Sequence, residues 1–106
     1  MPLAYMSDAN KVAVVTGSSS GIGYETSLAL AREGFLTYAT MRNLEKGGSI
    51  KSDSDKENLP LKIMQLDVTD DASVGKAVQS IISDSGRIDI LVNNAGIQVC
   101  FLVLLL

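Results

Sequence analysis

Short apolar runs alternate along the chain with segments whose hydrophobic residues have helical spacing. The first run, Val12 to Thr16, is almost wholly apolar, which is typical of a parallel strand buried on both faces. Runs of this kind predict four strands, over residues 12–16, 35–41, 61–68 and 88–93. Between the first two strands the spacing predicts a helix from Gly21 to Glu33, and Gly34 stands where a glycine commonly ends a helix.

Two more helices are predicted between the later strands. Residues 43–60 are mostly polar and predict a short helix with a solvated loop. Residues 69–86 carry one apolar stripe at helical spacing, which predicts an amphipathic helix. The stripe consists of Val74, Ala77, Val78, Ile81 and Ile82. We expect Thr69 to cap this helix, with two aspartates following in its first turn, and Gly86 to end it.

The element order β-α-β-α-β-α-β predicts an α/β fold. Right-handed crossovers between successive strands make a parallel sheet of about four strands with helices on both faces. The pattern places this domain at residues 11–96, between a short tail at 1–10 and an apolar tail at 97–106.

The amino-acid composition argues against several classes of function. The 106 residues are 46% hydrophobic and 20% charged, which suits one globular domain. Nine basic against twelve acidic residues give a net charge of −3, which disfavours nucleic acid as the main partner. The chain has no histidine and one cysteine, Cys100, so we expect no histidine triad, no metal site and no internal disulfide. A reducing cytoplasm fits this cysteine usage best.

Neither end of the chain is predicted to be a signal peptide or a membrane span. Residues 1–11 have neither the basic nor the apolar region of a signal peptide. The apolar stretch from Ile97 to Leu106 is much shorter than the about 20 residues that a membrane span needs. We therefore expect no membrane span.

The loop between the first strand and the first helix, Thr16 to Gly23, has the composition of a phosphate-binding loop. A helix N-terminus presents unpaired backbone N–H groups and a positive dipole end, both of which favour a phosphate. We expect Gly17 to allow a tight turn, Gly21 to let a pyrophosphate approach, and Gly23 to let the helix pack closely on the strand. The loop hydroxyls, on Ser18, Ser19 and Ser20, are expected to donate to phosphate oxygens. A flexible Gly/Ser turn is the alternative.

Three motifs together resemble the short-chain dehydrogenase/reductase family. The spacing Thr-Gly-x-x-x-Gly-Ile-Gly from Thr16 to Gly23 is that family's phosphate loop, and the chain lacks the Gly-Lys-Ser/Thr ending of a P-loop NTPase. Asn93-Asn94-Ala95-Gly96 ends the fourth predicted strand, as in the family, and Asp67-Val68 ends the third. The resemblance covers residues 11 to about 97 and implies a Rossmann-type doubly wound sheet that binds a nicotinamide dinucleotide.

The resemblance implies a role for each matching residue. The loop Gly17 to Gly23, including Ile22, would hold the pyrophosphate. Asp67 would accept a hydrogen bond from the adenine amino group, and Val68 would contact the ring through its backbone. The residues implied for the ribose on the nicotinamide side are Asn94, Ala95 and Gly96, while Asn93 would steady the central strands. The alternatives are a helix cap at Asp67 and an ordinary turn at 93–96.

The end of the second strand bears on the choice of cofactor. Members of the family that bind NAD carry an acidic residue there for the ribose 2′-hydroxyl. Residues 40–43 here are Thr-Met-Arg-Asn, without a carboxylate. Arg42 can pair with a 2′-phosphate through two parallel hydrogen bonds, so we predict NADP(H) over NAD(H). A solvated surface arginine is the alternative.

The chain does not contain the catalytic segment that the resemblance implies. The family uses a Ser and a Tyr-x-x-x-Lys segment for hydride transfer between a carbonyl and an alcohol. The residues four positions after Tyr5, Tyr24 and Tyr38 are not lysines. We therefore assign no catalytic residue and expect an NADP(H)-binding half that is inactive alone. The alternatives are a non-catalytic NADP(H)-binding or sensing module and a non-functional truncated product.

The apolar tail at 97–106 departs from the family pattern, which continues with a loop and a partly polar helix. A shifted or truncated reading frame near residue 97 is one account. A tail retained as a surrogate fifth strand or covering helix is the other. Without the family's second half, the fourth strand is expected to be an open edge, and the chain to self-associate through it unless the tail covers that edge.

Overall fold

The computed structural model describes residues 11–94 and the strand at 102–105. Nine elements follow one another over these residues. They are β1 (Val12–Val15), α1 (Gly21–Arg32), β2 (Leu36–Met41), a 3₁₀ helix (Leu44–Gly47), α2 (Gly48–Lys56), β3 (Leu61–Gln65), α3 (Asp71–Ser85), β4 (Ile90–Asn93) and β5 (Leu102–Leu105). The predicted order of strands and helices is confirmed, with boundaries that differ by a few residues.

The sheet confirms the α/β prediction. Its strand order is β3-β2-β1-β4-β5, and β1 to β4 are mutually parallel. The chain leaves β1 towards β2 and β3 on one side and returns to place β4 on the other side. In open parallel sheets a ligand binds at this point of reversal, beyond the carboxyl ends of the strands.

The tail contributes a fifth strand. Leu102–Leu105 pairs antiparallel with β4, from Asn93 opposite Leu102 to Ile90 opposite Leu105. β4 is therefore not an open edge, because β5 covers it, as the account of the tail as a surrogate fifth strand predicts. The edge of the sheet on this side is β5 itself.

The core lies on both faces of the sheet, as the two-sided burial of β1 requires. One cluster packs α1 and α2 against the sheet and comprises Leu28, Ala31, Ala39, Met41, Ile50 and Leu61. The other lies under α3 and comprises Val12, Val14, Tyr38 and Ile81. Ile50 is fully buried, so this residue anchors the otherwise polar segment predicted as a short helix.

Two details of the helices differ from the sequence predictions. Asp70, not Thr69, caps α3, because its Oδ1 accepts from the backbone N–H groups at 72 and 73. The apolar stripe of α3 is only partly covered, since Val78 is 40% and Ile82 45% exposed. Both predicted terminal glycines have positive φ, 98° at Gly34 and 80° at Gly86, as helix-ending glycines require.

Candidate nucleotide-binding site

A cleft of about 530 Å³ opens at the carboxyl ends of the four parallel strands. Its walls come from the segments that follow each strand, which are far apart in sequence. The lining residues are Gly17, Ser19, Ser20, Met41, Arg42, Leu66, Asp67, Val68, Thr69 and Asn94. The structure thus brings together the phosphate loop, the end of β2, the end of β3 and the asparagine after β4.

The phosphate loop has the backbone of an anion site. Gly17 and Gly21 have φ of 65° and 62°, a conformation that residues with a Cβ rarely adopt. A Cβ on Gly21 would meet no atom within 4 Å, so the space in front of α1 is open. In the part of the chain that the structure describes, the Ser20 side chain makes no capping hydrogen bond with α1. The helix therefore presents its N-terminal N–H groups towards the cleft for an anion.

Gly23 is required by a close contact inside the site. A Cβ at this position would lie 2.1 Å from the Gly17 carbonyl oxygen and 2.7 Å from Nδ2 of Asn94. The sequence prediction placed this close contact between the helix and the strand. The structure shows that the first turn of α1 packs on the loop carbonyl and on the residue after β4.

Ser18 corrects one part of the phosphate-loop prediction. Its side chain is fully buried, donates to the carbonyl oxygen of Val15 at 2.9 Å and pairs with the hydroxyl of Ser27 at 3.0 Å. Its backbone N–H donates to Thr40. Ser18 therefore holds the loop to the strands and cannot donate to a phosphate, because its donors already face inwards. Ser19 and Ser20 are the loop serines that line the cleft.

Hydrogen bonds from Thr16 tie the end of β4 to the end of β1. The Thr16 hydroxyl donates to Oδ1 of Asn93 at 3.2 Å and accepts from the backbone N–H of Asn94 at 2.9 Å. The Asn94 side chain then donates to the carbonyl of Gly17 at 3.2 Å. These bonds fix Asn94 beside the phosphate loop.

Asp67 sits in a tight turn at the end of β3. Its Oδ1 accepts from the backbone N–H of Thr69 at 3.0 Å and from the Thr69 hydroxyl at 2.7 Å. These two bonds, the hydroxyl first, lower the pKa of the Asp67 carboxyl, and the positive charge of Arg42 lowers it further. Within residues 11–94 and 102–105, Oδ2 has no hydrogen-bond donor, so this ionised oxygen is available to a ligand in the cleft. The residue turns the chain and faces the cleft at the same time.

Arg42 lies in the cleft wall directly after β2. Its side chain is exposed, and its guanidinium makes no hydrogen bond with any residue that the structure describes. Its carbonyl accepts a bond from the side chain of Gln65 at 3.3 Å. The Arg42 guanidinium is a cation whose backbone is held by Gln65. Because its N–H groups make no bond to the described residues, it is suited to bind a phosphate in addition to one held at the N-terminus of α1.

The remaining predicted residues occupy other places. Ile22 is 61% exposed at the start of α1 and does not line the cleft. Ala95 and Gly96 lie outside the described residues. The sequence prediction missed three lining residues, Met41, Leu66 and Thr69. Their positions could have identified them, because each residue lies at or just after the end of a strand that the sequence had already assigned to the site.

No tyrosine lines the cleft among the described residues. The Tyr24 hydroxyl, on α1, donates to Asp53 on α2. This bond, together with partial burial, raises the pKa of Tyr24 to about 12. A phenol that acts as a general acid or base needs the opposite shift, so Tyr24 is a contact between helices and not a catalytic group.

Two further features, a metal site and a membrane-spanning helix, are absent from the described residues. Residues 11–94 and 102–105 hold no group of three or more acidic, histidine or cysteine side chains that could ligate a metal ion. In the same residues, none of the helices has the length and apolar character that crossing a bilayer requires.

Comparisons with known proteins agree with this geometry. The short chain dehydrogenase family model matches residues 11–103. An uncharacterized oxidoreductase of Schizosaccharomyces pombe is 45% identical over 90 residues, 83% of this chain and 26% of that protein. (+)-Neomenthol dehydrogenase of Capsicum annuum is 39% identical over 91% of this chain and 32% of its own length.

A solved structure extends the likeness to the fold. The crystal structure of a metagenomic short-chain oxidoreductase in complex with NADP matches with a TM-score of 0.80 and 30% identity, covering 86% of this chain and 41% of that one. The chain spans about a quarter to a third of the length of the curated relatives it matches. With a family match over residues 11–103, the chain belongs to the short-chain dehydrogenase/reductase family, oxidoreductases that bind a nicotinamide dinucleotide.

Proposed function

We propose that this chain binds NADP(H) in preference to NAD(H). The observation that carries the proposal is Arg42, whose guanidinium makes no hydrogen bond with the described residues and stands in the cleft wall after β2, where the NAD-binding members carry an acid. A 2′-phosphate beside it would gain charge-assisted hydrogen bonds, whereas a 2′-hydroxyl would meet no acceptor from residues 40–43.

The rest of the cleft fits the other parts of the cofactor. The N-terminus of α1, with open space at Gly21, would hold the pyrophosphate. The free carboxylate oxygen of Asp67 would accept from the adenine amino group, with Val68 beside the ring. Asn94, fixed on the loop carbonyl, would reach the ribose on the nicotinamide side, together with Ala95 and Gly96.

Catalysis is proposed for a longer protein and not for these 106 residues. The bound cofactor supplies or accepts a hydride, and the family reaction interconverts a carbonyl and an alcohol. The described cleft holds no group suited to donate the matching proton, and no tyrosine of the sequence has a lysine four positions later. A protein in which a Ser and a Tyr-x-x-x-Lys segment follow this chain would carry out the reaction.

The test is the affinity of the purified chain for NADPH and NADH, measured by the fluorescence of the reduced nicotinamide. We expect NADPH to bind more tightly. Arg42→Ala should weaken NADPH by roughly 10- to 100-fold, the loss of a charge-assisted pair, and leave NADH nearly unchanged. Arg32→Ala is the matched control, because Arg32 bridges to Glu57 at the far end of α1, with both side chains exposed. Full NADPH preference in Arg42→Ala would overturn the proposal.

Two alternatives are separated by the same titration. Tight, selective NADPH binding by a cooperatively folded chain without turnover supports a binding or sensing module. A chain that neither folds nor binds supports a non-functional product. We further propose a cytoplasmic location, on the cysteine usage, and self-association through the partly exposed apolar groove between α3 and the sheet.

A further inference from the structure

A chain of hydrogen bonds joins Arg42 to Asp67 through two residues that do not line the cleft. The Gln65 side chain donates from Nε2 to the carbonyl oxygen of Arg42 at 3.3 Å. Its Oε1 accepts from the hydroxyl of Ser73 at 3.3 Å. The Ser73 oxygen in turn accepts from the backbone N–H of Asp67 at 2.9 Å. We name Gln65 and Ser73 together the amide relay.

The relay begins where the sheet ladder stops. Met41 and Gln65 are the last register partners of β2 and β3, and the N–H of Leu66 still donates to the Met41 carbonyl. Arg42, the next residue, is beyond the ladder. The Gln65 amide donates to the Arg42 carbonyl just beyond the paired residues and so holds the Arg42 backbone against β3.

Only an amide can make both bonds of Gln65. The Arg42 carbonyl has no hydrogen and must face the Gln65 nitrogen. The Ser73 oxygen already accepts from Asp67, so its own hydrogen is free to be donated to Oε1. Both bond directions therefore follow from chemistry. Ser73 itself is fixed in the first turn of α3, where its N–H donates to the capping Asp70.

We propose that Gln65 and Ser73 are positioning residues that set the NADPH preference of this site, by fixing the backbone from which Arg42 extends and tying it to Asp67. This inference rests on the proposed function, because it presumes that Arg42 meets the 2′-phosphate. The Arg42 end of the relay acts on NADPH alone. The Asp67 end acts on adenine, which NADPH and NADH share.

The experiment measures NADPH and NADH affinities for the full chain and its variants. Gln65→Met keeps the length of the side chain and removes both bonds. It should lower the ratio of NADPH to NADH affinity by roughly 3- to 10-fold, the worth of one hydrogen bond, with NADH almost unchanged. Ser73→Ala should weaken the binding of both cofactors, because it also frees the Asp67 backbone, and should weaken NADPH more than NADH, so that the ratio falls as well.

A double-mutant cycle separates positioning from a general structural effect. In an Arg42→Ala background, Gln65→Met should no longer change the ratio, because the group it positions is gone. Matched controls are Gln79→Met and Ser80→Ala, both at exposed positions later on α3, and these should leave the ratio unchanged. If Gln65→Met does not fold cooperatively in a thermal melt, the same double-mutant cycle is measured with Ser73→Ala and Arg42→Ala.

The outcomes distinguish this inference from the proposed function. If Arg42→Ala abolishes the preference but Gln65→Met and Ser73→Ala leave it intact, the relay is wrong and the proposed function stands. Equal loss of both cofactors in Gln65→Met, or full additivity with Arg42→Ala, also overturns the relay. If Arg42→Ala itself leaves the preference unchanged, the proposed function fails and the relay has nothing to position.

Discussion

The side-chain amide of Asn94 donates to the carbonyl oxygen of Gly17 at 3.2 Å, although 77 positions separate the two residues. The bond joins the end of the fourth parallel strand to the phosphate loop after the first. Because the Gly17 carbonyl also lies against the first turn of α1, these three segments meet at one point. The geometry of the loop therefore depends on a contact from the other end of the domain.

Gly23→Ala should destabilise the chain, against the usual trend. In an ordinary helix position, glycine to alanine gains up to about 1 kcal/mol. Here the added Cβ would lie 2.1 Å from the Gly17 carbonyl, so we expect a loss of about 1–3 kcal/mol and weaker cofactor binding. Urea unfolding measures the first and NADPH titration the second. Gly75→Ala is the control, since a Cβ on this α3 glycine meets nothing within 4 Å and should stabilise. Equal effects of the two substitutions would contradict the close contact.

The hydroxyl of Ser18 should contribute to stability, and that of Ser20 to NADPH binding. Ser18→Ala leaves the buried Ser27 hydroxyl without its partner, so we expect a loss of about 1–3 kcal/mol in stability with little change in NADPH affinity of the folded chain. Ser20→Ala should weaken NADPH by a few-fold without changing the melt, because Ser20 is exposed at the cleft. Removing both members of the buried pair, Ser18 and Ser27, should cost less than the sum of the single losses, which a double-mutant cycle in urea would measure.

The sequence was sufficient for the fold and for the place of the site. Alternating hydrophobic periods specify the strands and helices, and the motifs mark the strand ends that converge on the cleft. What it lacked was the direction of individual side chains. Ser18 and Ser20 are the same residue type in the same loop, and Ser18 turns inwards because its hydroxyl meets the carbonyl oxygen of Val15 and the hydroxyl of Ser27 on α1.

The remaining misses have the same origin in tertiary contacts. Thr69 and Asp70 are both good capping residues, and the turn in which Asp67 engages Thr69 leaves the cap to Asp70. Gln65 and Ser73 carry no motif at all, because their role depends on a bond between neighbouring strands and a helix. A fifth strand in the tail was one of two accounts that the sequence left open, but its antiparallel pairing with β4 needs the register of the sheet, which a run of aliphatic residues does not encode.

Acid should destabilise the chain partly through Asp89. Its Oδ2 accepts from the N–H of Val12 at 2.8 Å, and Arg87 holds both carboxylate oxygens. The bonds to Arg87, which outweigh partial burial, lower the pKa of Asp89 below its ordinary 3.8. A carboxyl whose pKa is lowered on folding stabilises the folded chain at pH values above the pKa of that carboxyl in the unfolded chain. This contribution is lost as the pH falls through its pKa in the folded chain.

Asp89→Asn tests this contribution. The free energy of unfolding of the parent should fall between about pH 5 and about pH 2, and the variant, less stable at neutral pH, should fall less steeply over the same range. Urea unfolding at a series of pH values measures both. The carboxyls of Glu57 and Asp67, whose pKa values are also lowered, keep some acid sensitivity in the variant. Identical pH slopes for parent and variant would assign the acid sensitivity to those two groups instead.

The uncovered side of α3 should drive self-association. An apolar groove of about 400 Å³ runs between this helix and the sheet, with Val78 and Ile82 40% and 45% exposed beside it. Apolar surface of this kind favours association in water. We expect the sedimentation coefficient of the parent to rise with concentration and that of Val78→Lys/Ile82→Lys to stay at the monomer value. Gln79→Lys/Ser83→Lys, on exposed positions of the same helix, changes the net charge equally, from −3 to −1, and should behave as the parent. A parent that is monomeric at all concentrations would show that the groove is not an association surface, and equal behaviour of the two lysine variants would assign any change to charge.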